Sequence, residues 1–449
     1  MKERIVLSTI IACLWTFLFV FQNYMDTFWA IITLMTFMVL YTIYMQVAFK
    51  HQVRKKRKNP PVINDGYRPF VSIMVPAHNE ETVIEKTVEN LLSIEYEDYE
   101  LIIIDDRSED RTPEIITELS KKYSKVKTLI RHKDAFPGKS AVLNEAMELA
   151  EGEAVLIFDA DARVRPDFLK KLVPALEPDD VGAVQARKVI INRTCNFLTK
   201  CQDNEMALDT HFQVGRDAVK GAVELRGNGQ LIKRTALNDI NGWNNHTITD
   251  DLDMSTRLHI KGWDVRFCHE VCVYEEGVLE YFPLVRQRRR WIEGSIRRYL
   301  EHFTEVISSK DISKRVSLDM TAYISEFILP FWLMSEIAFQ IFRFVKGEGN
   351  QVLSSITLAI IMCAFFTSAL LYSLRKYNGL KPLENLKQSV ETCIYIVVLW
   401  FPIVVYIIPK IIFGAKTMDW GKTAHGVIEI EEKEEDKQEE KTPAGELVN

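Results

Sequence analysis

The sequence has few cysteines and no large excess of charge, and both shortages exclude classes of protein. Its 449 residues include seven cysteines, at scattered positions that suggest no disulfide framework. Cys268 and Cys272 flank His269, but no second ligand pair follows at zinc spacing, so we interpret them as strand residues. The formal net charge of −6 gives no case for a nucleic-acid partner.

Charge is also missing from two apolar runs near the start of the chain, residues 5–21 and 28–49. Each is long enough to cross about 30 Å of hydrocarbon. No small-residue cleavage site follows the first run, so we predict a two-helix hairpin and not a signal peptide. The intervening loop lacks Lys and Arg, whereas basic residues crowd positions 50–58. This bias predicts a plasma-membrane protein whose chain lies in the cytoplasm from Lys50 onward.

Apolar segments return at residues 321–342, 352–372 and 392–413, before a charged tail that we expect to be disordered. Three spans would leave the tail outside, yet basic residues between Arg375 and Lys387 favour a cytoplasmic loop before the last segment. Either the tail is outside or one segment lies in the membrane interface; the first, with Glu326 and Glu336, is the candidate. The predicted divisions are a transmembrane hairpin (1–58), a soluble domain (59–282), interfacial helices (283–320), further membrane or interfacial helices (321–413) and a tail (414–449).

Between the apolar ends, after a linker over 59–68, strands alternate with helices, which is typical of a mostly parallel, doubly wound α/β sheet. The second and fourth strands end in acids, Asp105-Asp106 and Asp159-x-Asp161. Ligands collect at the carboxyl ends of parallel strands, so these acids should share one edge. Buried acids need a cation, and Mg²⁺ or Mn²⁺ commonly bridges carboxylates to phosphates. The alternative is a solvated turn.

Further polar stations follow along the chain: a glycine-rich turn containing Asn228, the run Thr249-Asp250-Asp251-Leu252-Asp253, and Gln287-Arg288-Arg289-Arg290-Trp291. The last lies in a predicted basic amphipathic helix, 283–303, of a kind that often rests on a membrane surface. Its arginines at 288, 289, 297 and 298 fit that surface role. Gln287, Arg290 and Trp291 share one helix face because they lie at i, i+3 and i+4.

Taken together, these stations resemble the family 2 glycosyltransferases, in the branch of the cellulose, hyaluronan and poly-N-acetylglucosamine synthases. Asp105, Asp159-x-Asp161 and Gln287-x-x-Arg290-Trp291 match the branch pattern, whereas Thr249-Asp250-Asp251 has Asp in place of the usual central Glu. The resemblance covers residues 70–303 and extends to Trp420-x-Lys422-Thr423-x-His425. It implies a Rossmann-like GT-A fold inserted between transmembrane helices, and inverting, metal-dependent transfer of a sugar from a UDP-sugar.

The resemblance also implies roles for individual residues. Mg²⁺ or Mn²⁺ on Asp161, helped by Asp159, would neutralise the leaving UDP, and Arg290 could grip its pyrophosphate. Asp251 would take the proton of the acceptor; its alternative role is a helix N-cap, which Asp253 fits better. The positions implied to contact nucleotide, diphosphate or sugar are Pro76, Ala77, Asn79, Glu80, Asp105, Asp106, Lys139, Asn144 and Asp159. The other substrate-binding candidates are Asn228, Asp250, Gln287, Arg290 and Trp291.

The acceptor is indicated by weaker similarities. Segments 224–230, 247–253 and 275–278 are similar to those of the cyanobacterial-type monoglucosyldiacylglycerol synthases. This similarity favours glucosyl transfer from UDP-glucose to diacylglycerol at the membrane, giving a β-glycolipid. The alternative is a processive synthase of a β-linked polysaccharide that extends a growing glycan, although five apolar segments are few for an export channel. A nucleotide-binding receptor with an inactive transferase domain is disfavoured by the intact acids and Arg290. No protein partner is indicated.

Overall fold

The structure is a computed structural model that describes residues 4–13, 16, 27–58, 66–323, 325–347 and 352–414. Most of the predicted linker, the loop of the N-terminal hairpin, the motif at 420–425 and the charged tail lie outside the described residues. The topology predicted from those segments therefore remains a prediction.

One mixed sheet of eight strands carries the centre of the chain. The strands are β1 (Val71–Ala77), β2 (Tyr99–Asp105), β3 (Val126–Ile130), β4 (Ala154–Ile157), β5 (Arg163–Val164), β6 (Val181–Ile190), β7 (Gln230–Lys233) and β8 (Asp264–Glu275). Their order in the sheet is β3-β2-β1-β4-β7-β6-β8-β5. The predicted α/β class is confirmed.

The predicted parallel pairing is present between β1 and β2, β1 and β4, and β2 and β3, and β6 also runs parallel to β8. β7 runs antiparallel to both β4 and β6, and β5 runs antiparallel to β8. The glycine-rich turn before β7 starts that strand opposite the end of β4, with Gln230 facing Ile157, so β7 runs back along β4.

Helices cover both faces of the sheet because its central strands are apolar on both sides. Along β1, Ile73 and Val75 point into one core and Met74 into the other. The helices of this region are α3 (Ile84–Leu92), α4 (Thr112–Lys122), α5 (Lys139–Ala146), α6 (Phe168–Leu172) with a 3-10 turn (Val173–Leu176), α7 (Phe197–Val219), α8 (Arg234–Asp239) and α9 (Asp250–Ile260).

A second group of helices packs beside this domain. It comprises α1 (Arg4–Cys13), α2 (Thr27–Lys58), α10 (Tyr281–Ser308), α11 (Lys314–Tyr323), α12 (Ser325–Val345), α13 (Val352–Tyr377) and α14 (Pro382–Phe413). Among the described residues, 359–377 and 382–413 are long and apolar enough to cross a membrane. Lys410 of α14 forms an ion pair with Glu293 of α10 at 2.7 Å, which joins the last helix to α10.

Helix α10 differs from the predicted membrane-surface helix. It is longer, and its residues from Ile292 to Leu300 are all buried. Three of its arginines are buried in ion pairs: Arg288 with Glu205 at 2.8 Å, Arg297 with Glu293 at 2.9 Å and Arg298 with Glu224 at 2.8 Å. Their charges are neutralised inside the protein, by Glu293 one turn away on the same helix and by Glu205 and Glu224, which are distant in sequence.

Candidate active site

Three adjacent parallel strands bring the first acids to one edge of the sheet. In the order β2-β1-β4, Asp105 is level with Ala77, and Asp159 follows the neighbouring strand after Phe158. Asp105 is 1 % exposed, and burial raises its pKa although hydrogen bonds from Ser108 oppose this. Its Oδ1 is buried and has no hydrogen-bond partner among the described residues. The sheet edge therefore offers an unmatched acceptor to a ligand.

The loop after β1 is tied to the loop after β2. The backbone N–H of Asn79 donates to Ser108 Oγ at 2.8 Å, and Asn79 Oδ1 accepts from the N–H of Glu109 at 2.7 Å. The N–H of Glu80 donates to Thr112 Oγ1 at 2.8 Å. Asn79 has φ of +55°, which asparagine tolerates better than most residues. Pro76 and Ala77 belong to β1 itself and form the floor of this corner.

Lys139, a candidate for contact with the diphosphate or sugar, lies against Asp159. Its Nζ lies 2.6 Å from Asp159 Oδ1 and donates to the carbonyl of Gly227 at 3.2 Å. Burial alone would lower the pKa of Lys139, but the carboxylates of Asp159, Asp250 and Asp251 outweigh it and raise the pKa. The lysine is therefore a fixed positive charge at the centre of the acids.

The glycine-rich turn lies between these acids and α9. Gly227 has φ of +79°, and a Cβ there would lie 3.2 Å from Asp251 Oδ2 and 3.8 Å from Lys139 Nζ. A side chain at this position would crowd the site, so glycine allows the close approach. Asn228 is fully buried, and its Oδ1 accepts from the backbone N–H of Asp159 at 3.2 Å.

The acidic run at 249–253 is the start of α9 and not the loop before it. The N-cap is Thr249, so Asp250 and Asp251 occupy the first turn. Burial, followed by the negative charge of Asp250, raises the pKa of Asp251 to about 6. Asp253 is not the cap that the sequence favoured, because its carboxylate meets Arg257 at 2.6 Å and His302 at 2.9 Å.

Gln287, Arg290 and Trp291 are half-buried and lie just before the buried part of α10. Arg290 Nε is buried without a hydrogen-bond partner among the described residues, so its guanidinium has donor capacity left for a ligand. Trp291 stacks with Arg288, whose Cζ is 4.0 Å from the ring centroid, and Gln287 accepts a hydrogen bond from Arg288. One turn beyond Arg290, Gly294 allows contact with the start of α9, since a Cβ there would lie 2.4 Å from Thr249 Cγ2.

Two candidates are committed to other contacts. The carboxylate of Asp106 meets Arg131 at 2.6 Å and Arg107 at 2.9 Å, so its charge is already balanced inside the protein. Asn144 donates to the carbonyl of Trp243 at 2.8 Å and accepts from its N–H at 3.0 Å. It therefore anchors a loop, and neither contact could be read from sequence because the partners are distant along the chain.

Sequence reasoning also missed three ion pairs beside the site. Glu224 is 3 % exposed and meets Arg298 at 2.8 Å and Arg226 at 3.0 Å, and these charges lower its pKa against the effect of burial. Lys188 on β6 meets Glu275 on β8 at 2.9 Å. The only signal in the sequence was the presence of charges within strand-like or apolar stretches.

Asp159 and Asp161 suit a hard divalent cation by their chemistry. Both are carboxylates at the end of one strand; the side chain of Asp159 is 39 % exposed, and Asp161 Oδ2 accepts from the N–H of Glu276 at 3.0 Å. A second group of ligand atoms within 4.8 Å of one another comes from Asp253, Glu301 and His302. It suits a cation less well, because Arg257 and His302 already hold Asp253.

Comparison with known proteins shows the family and the fold of the chain. Residues 68–294 match the model of the family described as glycosyltransferase like family 2. The chain is 40% identical over 367 residues to a beta-monoglucosyldiacylglycerol synthase of Trichormus variabilis, covering 80% of this chain and 77% of that protein. It is 36% identical over 368 residues to the Synechocystis enzyme of the same name, covering 80% and 75%. In fold it resembles a mannosyltransferase from Pyrobaculum calidifontis solved with GDP-Man and Mn²⁺, with a TM-score of 0.57, 19% identity and coverage of 82% of this chain and 98% of that one.

Proposed function

The chain belongs to the glycosyltransferase like family 2, and from that premise we propose that it transfers glucose from UDP-glucose to diacylglycerol, giving a β-glycolipid. The observation that carries the chemistry is the position of Asp251, a half-buried carboxylate of raised pKa, next to the glycine turn and Lys139. The acceptor and product are proposed from the names of the relatives that are 36–40% identical.

The donor side is formed by the strand ends. Asp105, with its unmatched buried oxygen, is placed to accept a hydrogen bond from the base of the nucleotide. Asp159 and Asp161 would hold Mg²⁺ or Mn²⁺, which when bound supplies positive charge to the diphosphate leaving group. Lys139 adds a fixed ammonium to the same region, and Arg290 has free donor capacity for a bidentate grip on a phosphate.

Asp251 is the proposed base. A carboxylate oxygen of Asp251 must accept the proton of the acceptor hydroxyl. At the same time the hydroxyl oxygen attacks the anomeric carbon of the sugar, and the bond from that carbon to UDP breaks. A pKa of about 6 leaves the carboxylate ionised at neutral pH while making it a stronger base than an ordinary aspartate. One base is enough for inversion, because the diphosphate, with its charge neutralised by a cation that Asp159 and Asp161 would hold, would need no proton to leave.

The acceptor side faces α10 and the apolar helices. Trp291 offers a flat surface, and α14, a candidate membrane span, is joined to α10 through Lys410 and Glu293. This arrangement suits an acceptor that stays in a bilayer while its hydroxyl reaches Asp251. We therefore also propose that the chain is a membrane protein and that its catalytic domain lies in the cytoplasm.

The test is a partition assay. Membranes containing the full chain are incubated with labelled UDP-glucose or UDP-N-acetylglucosamine, and the products are extracted with organic solvent. We expect label from UDP-glucose in the organic phase, in a compound sensitive to β-glucosidase. Label that stays in an ethanol-insoluble aqueous polymer would contradict the lipid acceptor and support a processive synthase.

A further inference from the structure

The end of β8 contacts both acids that follow β4. The backbone N–H of Glu276 donates to Asp161 Oδ2 at 3.0 Å. Glu275 acts through Asn228: Asn228 Nδ2 donates to Glu275 Oε2 at 3.2 Å, while Asn228 Oδ1 accepts from the N–H of Asp159 at 3.2 Å. Glu275, the last residue of β8, and Glu276, which follows it, thus help to fix two acids that are distant in the sequence.

Lys188 on β6 supplies the charge that balances Glu275. Its Nζ lies 2.9 Å from the same oxygen, Oε2, that accepts from Asn228, and the two side chains are only 11% and 14% exposed. The register pairs Lys188 with Val273, which places Lys188 and Glu275 diagonally on neighbouring strands. Lys188 Nζ also lies 5.8 Å from the ring centroid of Trp291. The pair therefore links the acidic edge to α10.

The ion pair between Lys188 and Glu275 is expected to contribute little to folding stability, because the cost of removing two charges from water offsets most of their attraction. Its position is more informative, since it lies one hydrogen bond from the residue that holds Asp159. Groups that orient metal-binding carboxylates often control affinity in this way without touching the ligand.

We propose that Lys188 and Glu275 are positioning residues, which hold Asn228 and through it Asp159 where the donor diphosphate and its cation bind. This role rests on the proposed transfer from a nucleotide sugar. Without Lys188, Glu275 would be an unbalanced anion beside the diphosphate site and would repel the donor. Without the charge of Glu275, Lys188 would be released and the contact to Asn228 would weaken.

The experiment uses the full chain in detergent, with Lys188→Met, Glu275→Gln, the double variant and the conservative Lys188→Arg. Calorimetry measures the Kd for UDP in the presence of Mn²⁺, and kinetics give kcat and the donor KM. We expect each single change to raise the Kd and the donor KM by about tenfold, with a smaller change in kcat. The double variant should be no worse than the single ones, and Lys188→Arg should restore binding.

The matched control is Arg266→Met, which breaks an ion pair with Asp217 at 2.6 Å near the opposite end of β8. It should lower the melting temperature without weakening UDP binding. Wild-type UDP affinity in both Lys188→Met and Glu275→Gln, or losses of affinity that simply follow melting temperature in all variants, would overturn the positioning role. Failure of the wild-type protein to bind UDP at all would overturn the donor proposal, and the positioning role with it.

Discussion

Asp251 is the residue on which the proposed chemistry depends most directly. Asp251→Asn keeps the size of the side chain but removes the base, so we expect transfer to fall by at least about a hundredfold. UDP binding measured by calorimetry should persist, because the nucleotide contacts lie elsewhere. Asp264→Asn is the control: burial also raises the pKa of Asp264 to about 6, but it lies at the start of β8, on the far edge of the sheet. Substantial transfer by Asp251→Asn would exclude this residue as the base.

The pH dependence of transfer should report the two neighbouring acids. Asp251 must be ionised to accept a proton, so kcat/KM should fall as the pH drops below about 6. The negative charge of Asp250 disfavours ionisation of Asp251, so Asp250→Asn should lower that pKa and move the acid limb to lower pH. The position of the limb is the measurement, whatever happens to the maximal rate. An unchanged limb would show that another group controls it.

Which residues could be foreseen depended on the distance to their partners. Asp105, Asp159 and Asp161 were predictable because a strand ending in an acid is a local pattern, and parallel strands share an edge. Asp106 carries the same pattern, and Asn144 was a candidate through the family resemblance, but Arg131 and the loop at Trp243 occupy them in the folded chain. No local pattern in the sequence indicated Lys188, because its proposed positioning role depends on Glu275, which lies on another strand.

At the scale of helices, Gly294 sets the distance between α10 and α9. Gly294→Ala would place a methyl group 2.4 Å from Thr249 Cγ2, so α10 must move away from the turn that carries Asp251. Arg290 lies one turn earlier and would move with it, and we expect transfer to fall on the order of a hundredfold. Adding Thr249→Ala should restore much of the rate by removing the clash. Ser295→Ala, the next residue along α10, is the control and should be nearly neutral.

The buried charge of Glu224 should matter for stability more than for chemistry. Glu224→Gln would leave Arg298, 1% exposed, without its carboxylate, and we expect a loss of about 3 to 5 kcal/mol in the free energy of unfolding. Adding Arg298→Met should recover part of this loss because the stranded charge is removed. Glu95→Gln breaks an exposed pair with Lys170 and should cost less than about 1 kcal/mol. Denaturant unfolding in detergent measures all three; no recovery in the double variant would contradict the explanation.

Elements were predicted well where apolar periodicity was strong, and less well where tertiary contacts decided. The predicted alternation of strands and helices is present from β1 to β4. Helix α10 was expected on a membrane surface because many arginines suggested a solvated face, yet Glu205, Glu293 and Glu224 bury three of them. An amphipathic pattern shows that one face of a helix is polar, but not whether that face contacts water or buried carboxylates.

At the scale of the whole molecule, a proposed lipid acceptor requires that the site of the α/β domain be held close to the membrane. The proposed donor site lies at the sheet edge, the proposed base lies on α9, and α10 is joined to α14 through Glu293 and Lys410. If α14 crosses the bilayer, the acceptor side of the site is held at the membrane surface by a helix and not by a flexible linker. The proposed lipid acceptor thus depends on α14 being embedded.

That requirement can be tested by placing a charge at two depths of α14. Val398, 57% exposed near the middle of the helix, would face lipid, and Val398→Arg should cost about 3 kcal/mol of insertion energy. Leu383→Arg, at an 82% exposed position near the helix start, should be tolerated at the interface. The measurement is the fraction of protein that resists alkaline carbonate extraction from membranes, together with organic-phase product. We expect Val398→Arg to lose both and Leu383→Arg to keep both; equal behaviour of the two variants would mean that α14 does not span, and that the acceptor is reached in another way.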